Sequence, residues 1–118
     1  MIRGHHAPGL AACADRFAAL GAEPRLQILR LLLAAHPEGL NVGELQQGLG
    51  IPGSTLSHHL DKLKNEDLVT VRRDRQFLWY SANTEVLKKL IAFLYAECCS
   101  RTGAIKSRSI ASMCCEQR

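Results

Sequence analysis

The sequence predicts a mainly α-helical domain carrying one small β-hairpin. Three observations carry that expectation: apolar residues recur at helical spacing in segments between residues 10 and 65 and again over 84–99; a short stretch rich in valine, aromatic and bulky residues interrupts them at 68–82; and proline and glycine punctuate the joins. At 118 residues the chain has room for one core and short appendages. The expected organisation is a flexible N-terminus over 1–9, a folded domain over 10–99, and a flexible cysteine-containing tail over 100–118.

The elements follow in order. Leu10 to Leu20 is alanine-rich and reads as a first helix, closed by Gly21 in the position where a left-handed residue ends many helices. Pro24 suits the first turn of a second helix, in which Leu26, Ile28, Leu29, Leu32 and Leu33 run at helical spacing as far as His36-Pro37, and which reads as largely buried. After Pro37-Glu38-Gly39, a brief third helix spans Val42 to Leu49, with Val42, Leu45 and Leu49 on one face and Gly48 and Gly50 as stops. Ile51-Pro52-Gly53 makes a tight connection, Ser54 is the expected N-cap, and Leu56, Leu60 and Leu63 mark the buried stripe of a fourth helix.

Two helices flanking a short glycine-containing turn form a helix-turn-helix, whose second helix keeps one face on the core and offers the other to the DNA major groove. Its outer face would carry Ser54, Thr55, Ser57, His58, Asp61 and Lys62. Leu68–Arg73 and Gln76–Ala82 then read as the strands of a hairpin turning at Asp74-Arg75. Thr84 to Cys99 returns to helical spacing, capped by Asn83 or Thr84, with Leu87, Leu90, Ile91, Leu94 and Cys98 along one stripe. In so small a monomer that stripe has too little to pack against, so it marks an association surface.

Composition excludes several classes. Hydrophobic residues make up 47% and charged residues 22%, ordinary for a globular chain. The longest apolar run, Ile28 to Ala35, is broken by Arg30 and falls far short of the roughly 20 residues that cross a bilayer, so no membrane partner is expected. Leu10-Ala11-Ala12-Cys13 looks like a lipoprotein cleavage box, but Gly4, His5, His6, Pro8 and Gly9 occupy the place of the apolar stretch an export signal needs. Five cysteines, an odd number without a disulfide-like spacing, then read as reduced thiols in a cytoplasm. No phosphate loop, Cys-x-x-Cys or Cys/His/acid set argues for an enzyme. The net charge of +4 gathers in the tail, where residues 100–118 carry +3, so charge alone says little about nucleic acid.

The order helix, helix, helix-turn-helix, two-stranded wing, final helix resembles the ArsR/SmtB family of winged-helix repressors. Leu20-Gly21-Ala22-Glu23-Pro24-Arg25-Leu26-Gln27-Ile28-Leu29 is similar to that family's entry to its second helix. Ser54-Thr55-Leu56-Ser57-His58-His59-Leu60, with Leu63 and Leu68-Val69, is similar to its recognition helix and exit. The resemblance covers residues 10–99. It implies a homodimer joined through the first and last helices, bound to double-stranded operator DNA with recognition helices in successive major grooves. Ser54, Thr55, Ser57 and His58 are then the candidates for phosphates or base edges, and Arg73 and Arg75 on the wing for phosphates or the minor groove. Gly53 stands where the family often has glutamine, and the wing turn lacks its usual glycine. His58-His59 is a poor metal pair, because adjacent helical residues point about 100° apart.

The resemblance also directs attention to sensor sites. The family's third-helix arsenic site needs Cys-Val-Cys, where this chain has Asn41-Val42-Gly43; its last-helix zinc site needs Asp and His, and residues 84–99 hold neither. Cys98-Cys99 at the end of the last helix remains, with Cys114-Cys115 in the tail and Cys13 on the first helix. Thiolates select soft ions, and trivalent arsenic takes up to three sulfurs. The cysteine pair resembles that of arsenic-responsive repressors whose site lies there, so As(III), as arsenite (or antimonite in its place) or as an organoarsenical, is the expected inducer and no permanent cofactor is expected. Cys114 or Cys115 could supply a third sulfur, as could Cys13 of the partner subunit; with Cys98 and Cys99 alone, a two-thiol site would favour methylarsenite. Oxidation of the same thiols is the remaining alternative.

Overall fold

The computed structural model describes residues 9–101 as five helices and a three-stranded antiparallel sheet. The elements are α1 (Leu10–Leu20), α2 (Glu23–Ala34), β1 (Leu40–Asn41), α3 (Val42–Leu49), α4 (Gly53–Asn65), β2 (Val69–Asp74), β3 (Phe77–Ala82) and α5 (Thr84–Tyr95). Cys114, Cys115 and most of the expected N-terminal and tail segments lie outside the described residues.

The core gathers Ile28 and Leu32 of α2, Leu45 of α3, Leu56, Leu60 and Leu63 of α4, and Leu68, all essentially inaccessible. Each helix contributes one stripe at three- or four-residue spacing, as its sequence dictates. The second helix is less buried than its composition suggests. Ile28, Leu29 and Leu32 face inward, but Leu26 and Leu33, seven residues apart on another face, stay exposed. A twelve-residue helix packed on one side has a single buried stripe, whatever apolar residues line the others.

Turn chemistry explains the boundaries. Asn41 caps α3 through a reciprocal box: its side chain accepts from the Glu44 amide at 2.9 Å, and the Glu44 carboxylate accepts from the Asn41 amide at 3.1 Å. Gly50 closes α3 in the left-handed region at φ 68°. Gly21, expected to do the same for α1, is right-handed at φ −73°, because α2 starts only two residues later and the chain turns without reversing hand. Nor is Ser54 the cap of α4. That helix begins two residues earlier than such a cap implies, at Gly53, with extended Pro52 before it and no side-chain cap. Gly39 is required where it stands: at φ 84°, a Cβ would collide with the Tyr80 carbonyl of β3.

The sheet corrects the expected hairpin in two ways. A third strand, β1, pairs with β3 through Leu40 opposite Tyr80 and Asn41 opposite Trp79. Two residues are too few to show alternation, so only tertiary pairing reveals this strand. The wing itself runs from Val69 opposite Ala82 to Asp74 opposite Phe77, which moves the turn from Asp74-Arg75 to Arg75-Gln76. The last helix also stops earlier than expected, at Tyr95, and residues 96–101 continue as turns. No helix among the described residues is long and apolar enough to cross a membrane.

Candidate nucleic-acid interface and thiol pair

α4 is fixed at both its inner face and its exit. Leu56, Leu60 and Leu63 lock it to the core, and the opposite face presents Ser54, Thr55, Ser57, His58, Asp61 and Lys62 to solvent. Its first turn contains no acidic residue, while Lys62 and Lys64 complement the negative end of its dipole. Hydroxyls and an imidazole therefore stand on an open face near the positive end of a helix, an arrangement suited to phosphate and base-edge hydrogen bonds. The four expected α4 residues share this surface.

The exit of α4 is held by residues from α1 and from the start of α5. Arg16 of α1 donates from Nε to the Glu66 carbonyl at 2.9 Å and lies 3.4 Å from the Asp67 carboxylate. Asp67 takes φ 61° as the chain turns into β2. Asn83 donates from Nδ2 to the Asp67 carbonyl at 2.9 Å, and its Oδ1 accepts from the Val86 amide to cap α5. One asparagine thus ties the end of α4 to the beginning of α5. Sequence spacing offers Asn83 as a cap, but its second bond, like that of Arg16, depends on a long-range juxtaposition.

His59, one residue beyond the exposed face, is turned inward. Its ring lies 5.9 Å from that of His58 and tilted by 56°, and its buried Nδ1 has no protein partner. Burial, then the Arg25 guanidinium, then His58 hold its pKa below the usual value, so the site favours the neutral ring.

On the wing, Arg73 lies in β2 opposite Leu78 and Arg75 occupies the two-residue turn; both are exposed. Arg75 has φ 62°, whereas Gln76 does not enter the positive region. In such a two-residue hairpin loop the first position normally belongs to glycine. Arg72, facing the other side, sits 5.6 Å from the centre of the Trp79 ring and donates to the Glu38 carbonyl at 3.3 Å, tying the wing base to the loop before β1.

The described thiols fall in two places. Cys13 is 8% exposed within α1 and serves the core. Cys98 and Cys99 lie past the end of α5, half-buried, with Cys98 Sγ donating to Cys99 Sγ at 3.6 Å. Cys99 has φ 57°, so the chain reverses hand at this pair. Donation to Cys99, with smaller contributions from burial and from the neighbouring charge, pushes the Cys98 thiol above its ordinary pKa. Among the described residues no three of His, Cys, Asp and Glu come together as an ion site. The structure therefore brings together two of the four expected thiol ligands.

Comparison with known proteins gives a consistent picture. A family model described as a helix-turn-helix domain matches residues 20–72. The transcriptional activator HlyU of Vibrio cholerae is 37% identical over 81 residues, covering 69% of this chain and 72% of that protein. A structure of V. cholerae HlyU covers 84% of this chain and 99% of its own, at 33% identity and a TM-score of 0.61. The nodulation protein NolR of Rhizobium meliloti is 39% identical over 70 residues, and the match spans only 55% of its length. The arsenical resistance operon repressor of Staphylococcus aureus is 36% identical over 67 residues, covering 57% of this chain and 62% of that protein. The V. cholerae and S. aureus relatives are named as a transcriptional activator and an operon repressor.

Proposed function

Because the chain belongs to the ArsR/SmtB family of winged-helix DNA-binding transcriptional regulators, we propose that it is a homodimeric repressor released from operator DNA when trivalent arsenic binds Cys98 and Cys99. The observation that carries the ligand is the 3.6 Å contact between two adjacent, half-buried thiols just beyond α5. Two soft donors already side by side suit one thiophilic centre, and arsenic bound there supplies the bonds that join both sulfurs. Inorganic arsenite or antimonite needs a third sulfur, for which Cys114 and Cys115 are the candidates. A methylated arsenical needs only the described pair. The S. aureus relative, whose name is that of an arsenical resistance repressor, supports the ligand class.

Homodimerisation is supported by an apolar face left uncovered among the described residues. Leu10 of α1 and Ile91, Leu94 and Tyr95 of α5 are 39–61% exposed, although only Leu90 of α5 is buried. Burying these side chains between copies would place two α4 helices on one duplex, with half-sites spaced about one helical turn, roughly 34 Å, apart.

The residues between the thiols and α4 provide a route for coupling. Asn83 caps α5 while holding the Asp67 carbonyl, and Arg16 holds the Glu66 carbonyl from α1. A shift of α5 or α1 at the dimer face therefore displaces the end of the recognition helix. Release requires only that ligand binding favour the displaced arrangement by a few kcal/mol, about 1–3 in many coupled systems. Each thiol that bonds arsenic gives its proton to an arsenic-bound hydroxide, which leaves as water, so capture at Cys98 and Cys99 forms two As–S bonds, breaks two As–O bonds and releases two waters with no net proton.

The same sulfur contact favours a second reading. Peroxide would take two protons and two electrons from the Cys98 and Cys99 thiols, forming a disulfide and two waters, with the sulfurs closing from 3.6 Å to about 2.05 Å. Native mass spectrometry of the reduced full chain separates the readings. One arsenic per protomer, lost in Cys98→Ser and Cys99→Ser, supports the arsenic site; retention of uptake in both variants rejects it. Uptake lost also in Cys114→Ser or Cys115→Ser identifies the third sulfur, whereas a loss of two mass units with peroxide and no arsenic adduct supports oxidation.

A further inference from the structure

The two adjacent histidines of α4 have opposite settings. His58 is exposed beside Ser54, Thr55 and Ser57, whereas His59 flanks the buried stripe, on the same side of the helix as Leu56 and Leu63. The Nδ1 atom of His59 is shut off from solvent and has no hydrogen-bond partner. From α2 the Arg25 guanidinium acts on this ring, and from its own helix His58 does so. That guanidinium is fixed, because its Nε donates to the Ala19 carbonyl at the end of α1 at 2.7 Å. Asp15 of α1 and Lys62 and Glu66 of α4 line the cavity that Arg25 also lines, and no carboxylate of either helix comes within hydrogen-bond reach of Nδ1. A neutral imidazole fits this setting. An imidazolium carries N–H on both nitrogens, so protonation creates a buried donor without an acceptor and sets a second cation beside Arg25.

We propose that His59 is a proton sensor built into the DNA-binding helix: neutral, it lets α4 rest against α2 in the arrangement that grips DNA, and protonated, it drives α4 out of that arrangement, so the protein releases DNA on acidification. Relief cannot come from Arg25, which the Ala19 carbonyl holds in place. Nor can the turn bearing His59 move alone, since Leu56, Leu60 and Leu63 fasten it to the core. The helix shifts as a unit against α2, and Ser54, Thr55, Ser57 and His58 on its open face shift with it. The lowered pKa of the ring, caused first by burial and then by Arg25 and His58, runs in the same direction. The sign of the effect separates the two histidines. Protonation of His58 adds a cation to the DNA face and tightens binding to phosphates, whereas protonation of His59 loosens it. Linkage sets the size: DNA affinity falls by the factor by which the proton prefers the DNA-free form.

The proposal rests on α4 being the DNA-recognition helix, and its test separates the two. The reduced full chain and its His59→Gln and His58→Gln forms are titrated by fluorescence anisotropy on a duplex selected from a random pool, from about pH 8 to about pH 5.5 at one ionic strength. Each affinity is referred to that form's own value at the alkaline end. The expected result for the parent is a loss of about fivefold or more at the acid end. His59→Gln abolishes the loss or turns it into a gain, and His58→Gln deepens it. A loss retained in His59→Gln, or no loss in either the parent or His58→Gln, overturns the proton sensor and leaves the recognition helix standing. Failure of every form to bind any duplex at the alkaline end overturns the recognition-helix reading and the proposal with it. Circular dichroism at each pH keeps unfolding apart: a parent that has lost its helices at the acid end assigns the effect to stability and overturns the proposal. Proton NMR of the histidine rings supplies a readout that needs no variant to fold. Because linkage is reciprocal, the His59 ring should titrate at lower pH on DNA than off it, and one midpoint for both states overturns the proposal.

Discussion

Replacing Arg75 by glycine should make the protein more stable and a poorer DNA binder. Arg75 is the first residue of the two-residue wing turn and takes φ 62°. A side chain in the left-handed region costs about 1–2 kcal/mol through contact of its Cβ with the following carbonyl. Glycine removes that cost but gives back about 0.5–1 kcal/mol, because it frees more conformations in the unfolded chain. The remainder is a stabilisation of about 0.5–1 kcal/mol, or roughly 2–6 °C in melting temperature for a domain of this size. Arg75 is exposed and makes no described ion pair, so no compensating bond is lost on folding. On DNA the sign reverses. Each phosphate neutralised contributes about 0.9 to the slope of log affinity against log salt, and a dimer presents two wings, so Arg75→Gly should flatten that slope by about 2. Urea melts and anisotropy titrations across a salt series measure the two effects independently. A variant no more stable than the parent would refute the strain argument; an unaltered salt slope would refute the phosphate contact.

Three further outcomes follow from the geometry. Gly39→Ala should cost about 3 kcal/mol or more, since φ 84° and the Tyr80 carbonyl both exclude a Cβ; a urea melt showing a loss below about 1 kcal/mol would contradict this. His59 has a folded pKa below its unfolded value near 6.5, so as pH falls through that range the unfolded chain takes up a proton that the folded chain resists, and stability declines. His59→Gln should flatten the decline in urea midpoint between about pH 7.5 and about pH 5.5, and an identical pH profile would reject the assignment. Leu94→Glu should dissociate the proposed dimer: Leu94 is 61% exposed, and covering two copies contributes about 2–4 kcal/mol, a weakening of at least roughly thirtyfold before the added charge is counted. Sedimentation showing an unchanged dimer would place the interface elsewhere.

Local sequence signals specified most of this domain. The spacing of Leu56, Leu60 and Leu63 needs nothing beyond helical geometry to separate the buried face of α4 from the face bearing Ser54, Thr55, Ser57 and His58. Asn41 with Glu44, and Gly50 after Leu49, fix α3 to the residue because capping is chemistry between near neighbours. Proline at the start of α2 acts in the same way. The cysteine doublet was likewise visible in the sequence, with its place near the end of the last helix.

Tertiary structure decided whatever depends on partners distant along the chain. β1 exists because Leu40 and Asn41 find Tyr80 and Trp79, about forty residues away, and two residues alone carry no period to read. Gly21 stays right-handed because α2 begins two residues later, whatever the local preference of glycine after a helix. Arg16 and Asn83 reach Glu66 and Asp67 only once α1 and α5 are packed beside the exit of α4. The exposure of Phe77 and Leu78 on opposite faces of one hairpin end is set by strand register, since a shift of a single residue would exchange every side chain between faces. Periodicity and capping are short-range and survive in a bare sequence; register, burial and coupling are long-range and come into being only when the chain closes on itself.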